Sequence, residues 1–104
     1  MQIEDLIRAI GERKVIITDH ADEEADNDDL SFDDVYFSVV RGEIIEECPE
    51  DRPYPSCLVY GETFGGDPVH SVWAYNEASG FGVIITVYRP DPARWEPNWK
   101  TRRR

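Results

Sequence analysis

Ser31-Phe32-Asp33-Asp34-Val35-Tyr36-Phe37-Ser38-Val39-Val40-Arg41-Gly42-Glu43-Ile44-Ile45-Glu46-Glu47 is the stretch on which the fold turns. Up to Arg41 its apolar residues recur at helical spacing, so Phe32, Val35, Tyr36, Val39 and Val40 form one stripe for burial. Ser31 and Asp34 make a capping-box-like start, with Leu30 and Val35 placed as a hydrophobic staple. Arg41 suits the negative end of the helix dipole, and Gly42 is expected to stop the helix as its C′ residue. Beyond Gly42 the helical spacing stops, and residues 43 to 47 read as a strand.

On the N-terminal side, Ile3, Leu6, Ile7 and Ile10 predict an amphipathic helix near residues 2 to 13. Val15-Ile16-Ile17 is a β-branched run fit for a small edge strand. Thr18 or Asp19 can cap a second helix over about 19 to 28, with Ala21 and Ala25 as its narrow apolar stripe. Its Asp28-Asp29 end suits the dipole badly, which predicts early fraying. The third helix spans about 32 to 41.

On the C-terminal side, a Pro-rich turn region at 48 to 56 is followed by strands near 57 to 64, 69 to 75 and 82 to 88. The connections 65 to 68 and 76 to 80 have hairpin turn chemistry. Pro90 and Pro92 stop the last strand, and Trp95 and Trp99 are expected to pin the tail before it frays through Arg102 to Arg104. The expected fold is α+β, with three helices on one face of an antiparallel sheet of about four strands. Val35, Val39, Leu58, Val72, Ile84 and Val87 are its expected core.

A length of 104 residues allows one core, so residues 1 to 104 are expected to form a single domain. No apolar run approaches a membrane span, and no signal peptide is recognisable at the start. Cys48 and Cys57 are too few for a secreted disulfide framework, which points to free thiols in the cytoplasm. Charge is uneven: residues 1 to 88 hold 5 basic and 20 acidic side chains, whereas residues 89 to 104 hold 6 basic and 2 acidic. The body should repel phosphate backbones, and the tail should attract them.

Phosphate loops, HExxH, paired CxxC and nucleophile elbows are all absent. Asp26-Asn27-Asp28-Asp29 lacks the glycine and the final Glu of a calcium loop. Only two histidines exist, His20 at the second helix start and His70 in a strand, too few ligands to predict a metal site. Proton transfer by them requires that they converge in one cleft. Arg52 lies in a loop where its guanidinium could reach a ligand; Tyr88 and Arg89 end the last strand as a phenol and a guanidinium fit for phosphate. A structural role, Tyr88 in the core and Arg89 in a salt bridge, is the commoner fate of such residues.

Ile17-Thr18-Asp19-His20-Ala21, Gly42-Glu43-Ile44-Ile45-Glu46, Asp51-Arg52-Pro53, Pro68-Val69-His70 and Thr86-Val87-Tyr88-Arg89-Pro90-Asp91-Pro92 resemble the bacterial family called domain of unknown function 4258. More remotely, the layout is similar to RelE/ParE-like and BrnT-like toxins of toxin–antitoxin pairs. The resemblance implies metal-independent endoribonuclease cleavage of messenger RNA, no cofactor, and an antitoxin protein as partner, often a small zinc-finger type. It implies His20, His70, Arg89 and Tyr88 as catalytic candidates and Arg52 on phosphate. One histidine would be the base, the other histidine or Tyr88 the acid, and the arginines would hold the phosphate. Toxins of this kind are usually basic, and this chain is not. The alternative is therefore a non-catalytic protein-binding module on the same fold. Convergence of His20, Arg52, His70 and Arg89 in one cleft would favour the enzyme, and scattering would favour the module.

Overall fold

The computed structural model describes all residues 1 to 104. Its elements are α1 (Ile3–Gly11), β1 (Val15–Ile17), α2 (Asp19–Asn27), α3 (Phe32–Val40), β2 (Glu43–Cys48), β3 (Ser56–Glu62), β4 (Pro68–Asn76) and β5 (Phe81–Tyr88). They build an α+β fold of three helices and one five-stranded sheet, ordered β1-β5-β4-β3-β2. Strands β2 to β5 are antiparallel neighbours, but β1 runs parallel to β5, so the sheet is mixed and has one strand more than the meander alone. The reason is local. Thr18 holds the end of β1 on β5, its amide and hydroxyl both donating to the Ile84 carbonyl at 3.2 and 2.9 Å, while the Gly82 amide donates to the Lys14 carbonyl at 2.9 Å.

Helix starts follow their capping residues. The Thr18 hydroxyl accepts from the Ala21 amide, and the Ser31 hydroxyl from the Asp34 amide, both at 3.1 Å. At the other end of α2, where fraying was expected, Arg89 supplies a cap. Its guanidinium donates to the Asp28 carbonyl at 2.7 Å and the Asp29 carbonyl at 3.1 Å, supplying the positive charge that the helix lacks. Gly42 ends α3 without a left-handed φ. A Cβ there would overlap the Ser38 and Tyr60 carbonyl oxygens, so the residue is needed for close approach.

The core lies between the helices and one sheet face: Leu6, Ala21, Ala25, Val35, Val39, Val59, Val69, Trp73, Ile84 and Val87. Leu58 and Val72 pair with each other and alternate onto the opposite face, where Leu58 is buried and Val72 only half-buried. Val40 is exposed at the end of the α3 stripe, and Ser38 takes the buried position instead.

That far face is partly covered by the C-terminal segment. Trp95 is buried, pairs with Arg102 as an isolated bridge, and the Arg103 amide donates to the Arg94 carbonyl at 2.9 Å. The tail is thus ordered past the point where fraying was expected, because its cations meet acids of the body. Lys100 contacts Glu43 at 3.2 Å, and Arg102 grips both oxygens of Glu46 at 2.8 and 2.9 Å. No helix is long and apolar enough to cross a membrane.

Candidate functional site

β4 and β5 are paired so that His70 stands directly opposite Tyr88 on the far face. The folded-back tail closes over them. The Trp99 carbonyl lies 2.7 Å from His70 Nε2, and the Tyr88 hydroxyl lies 3.2 Å from Nδ1. A carbonyl only accepts, so Nε2 carries the proton and Nδ1 accepts from the phenol. Trp95 packs edge-on against the imidazole at 4.4 Å between ring centres, with Tyr60 and Tyr88 at 6.0 and 5.3 Å. His70 is fully buried, and burial holds its pKa below the usual histidine value. Burial likewise raises the Tyr88 phenol, which is therefore a proton donor at neutral pH.

Tyr88 opens onto a surface groove of about 310 Å³ lined by Arg89, Asp91, Arg94, Trp95 and Arg102. The Arg102 guanidinium lies 4.7 Å above the Trp95 ring, and its hydrogen bonds hold the Glu46 carboxyl below its ordinary pKa. Arg89 reaches the groove only at its rim, because α2 holds its guanidinium and Asp67 lies 3.5 Å from it. Arg94 alone of the three arginines makes no ion pair. A larger recess of about 350 Å³ between α3 and the β3–β4 turn contains Arg41, Glu43 and Glu62 but no histidine.

The other sequence candidates lie elsewhere. His20 is exposed in the first turn of α2, about 12 Å along the helix from the end that Arg89 caps. Arg52 lines a separate apolar groove with Ala74, Val83 and Ile85. Ala74 stands four residues along β4 from His70, about 13 Å away. His70 and Tyr88 therefore meet, Arg89 is a neighbour with a structural task, and His20 and Arg52 do not join them. Arg94 and Asp91 were not singled out from the sequence, although the basic composition of residues 89 to 104 was the signal for the first. No group of three or more His, Cys, Asp or Glu side chains is arranged to hold a metal ion. Both cysteines are free, Cys48 exposed and Cys57 buried, with the Cys57 thiol pushed up to about 12 by burial.

The family model described as Domain of unknown function (DUF4258) matches residues 17–89, which take in α2 through β5 with both histidines and Tyr88. The chain belongs to that family. No curated protein and no solved structure matches it.

Proposed function

We propose that this family member is a toxin-type, metal-independent endoribonuclease that binds a phosphodiester in the Tyr88–Arg94 groove. The observation that supports this reading is the gathering of Arg89, Arg94 and Arg102 around a protonated phenol, on a chain of net charge −11. Arg94, which makes no ion pair, beside Arg102, which is shared with Glu46, suits a phosphate better than a neutral or cationic ligand. The reaction is attack of a ribose 2′-oxygen on the adjacent phosphorus. The 2′-oxygen–phosphorus bond forms, the bond to the 5′-oxygen breaks, and a cyclic phosphate results. Asp91, the carboxylate lining the groove, takes the 2′-hydroxyl proton, and the Tyr88 hydroxyl turns from His70 Nδ1 to give its proton to the leaving 5′-oxygen. Arg94 and Arg102 hold the phosphorane charge. His70 is a positioning residue here, fixing the phenol through Nδ1. This reading carries with it the toxin-like layout of the RelE/ParE and BrnT kind expected from the sequence, and a cytoplasmic antitoxin protein as partner.

A second reading is favoured by the side chains whose convergence was to mark the enzyme, because His20, Arg52, His70 and Arg89 do not all meet in one cleft. Both ring nitrogens of His70 are engaged within the chain, and His20 and Arg52 lie apart from it. That arrangement suits a non-catalytic protein-binding module. Incubation with single-stranded RNA in EDTA decides between the two. The nuclease cuts, and Tyr88→Phe lowers its rate by about 100-fold or more with the fold retained. Wild-type protein that leaves RNA intact, and that Tyr88→Phe matches in a bacterial growth assay, overturns the nuclease reading in favour of the module.

A further inference from the structure

The two edges of the sheet are unlike. β2 is broken by a bulge between Ile44 and Glu46, carries Glu43, Glu46 and Glu47, and is bridged by the tail. Such features block strand addition. β1 has none of them. Ile16 is 50% exposed and Ile17 37%, and Ile85 on the neighbouring strand is 37% exposed. The Lys14 carbonyl and Thr18 amide both point to β5, so alternation turns the amides and carbonyls of Val15 and Ile17 outward, away from the sheet.

Charge selects the occupant. The chain carries −11, yet residues 12 to 19 hold Glu12, Arg13, Lys14 and Asp19, two acids and two bases. The cations precede the apolar triplet and Asp19 follows it, an order that becomes self-complementary when two strands run antiparallel about a two-fold axis. Arg13 and Asp19 are both exposed, and neither forms an ion pair within the chain.

We propose that β1 is the docking edge for a second copy of this chain, joining two sheets into one of ten strands. Ile16 sits opposite Ile16 of the second copy as a close, non-hydrogen-bonded pair on the far face. Val15 and Ile17 exchange amide–carbonyl hydrogen bonds with Ile17 and Val15 of the second copy. Arg13 comes to the end where Asp19 of the second copy lies. Three residues make a short seam, so the association is weak. The inference is independent of the nuclease reading.

Sedimentation velocity of the full chain from about 5 to 500 µM in 150 mM salt tests it, over concentrations at which an association of micromolar to millimolar order is visible. The sedimentation coefficient should rise from monomer to dimer. Ile16→Lys should weaken association at least tenfold, with an unchanged circular dichroism spectrum. Should that variant fail to fold, the exposed charge pair supplies the test. Arg13→Asp alone weakens the dimer, and Arg13→Asp with Asp19→Arg restores it. Amide exchange at Val15 and Ile17 should slow as concentration rises. A chain that stays monomeric throughout, or a dimer indifferent to both Ile16→Lys and the charge swap, overturns the proposal.

Discussion

His70 links the sheet, the groove and the tail through one ring, and its protonation state sets all three contacts. Its folded pKa is lowered by burial from the ordinary value of 6.5, against a raising effect of the Trp99 carbonyl. Between the lowered value and 6.5 the unfolded chain binds more protons than the folded one, so stability rises with pH across that window. The contribution is complete above 6.5 and is lost as pH falls through the folded value. Urea midpoints should therefore drop as pH is lowered below 6.5, and His70→Gln should flatten that part of the profile. A profile with the same slope in both proteins would show that other groups govern it.

At the scale of elements, α3 and β3 meet backbone to backbone. A Cβ on Gly61 would overlap the Ser38 carbonyl, and Ser38 is itself buried, its hydroxyl donating to the Val35 carbonyl at 2.6 Å. The conflict is with main chain, which cannot swing aside as a side chain does. Gly61→Ala should cost at least about 1 to 3 kcal/mol through overpacking. For a domain of this size each kcal/mol moves the melting temperature by roughly 4 to 8 °C. Thermal denaturation checks this; Gly11→Ala, where a Cβ meets nothing within 4 Å, is the control that should leave the midpoint near wild type or above it.

The whole molecule is organised by a contrast of charge along the chain. The acidic body is met by its own cationic end, which folds back so that Lys100 and Arg102 contact Glu43 and Glu46 of β2. Exposed pairs of this sort are each worth about 0 to 1 kcal/mol, so the buried Trp95 and the Trp99–His70 bond must supply the rest of the docking. Reversing both charges, Lys100→Glu with Arg102→Glu, sets like charges against each other and should loosen the tail. The expected readout is faster amide exchange at residues 95 to 103 and red-shifted tryptophan emission, with β3 to β5 still protected. Unchanged exchange at Trp95 and Trp99 would mean that the ion pairs are incidental to docking.

Much of this was legible along the chain because it depends on neighbours in sequence. Ser31, Thr18 and the Val35–Val39 spacing set helix starts and buried faces through contacts within one turn, and the two hairpin turns set two of the three antiparallel pairings. Residues that act through distant partners were not legible. Nothing near Arg89 in sequence tells that it caps α2, and nothing near His70 tells that a carbonyl 29 residues later fixes its tautomer. The parallel placement of β1 beside β5, and the assembly of a groove from Tyr88, Arg94 and Arg102 while His20 and Arg52 lie apart from it, were likewise decided in three dimensions. Local hydrogen bonds and periodicity are properties of a segment. Charge pairing and burial across the sheet are properties of the packed whole, and only the tertiary structure assigns them.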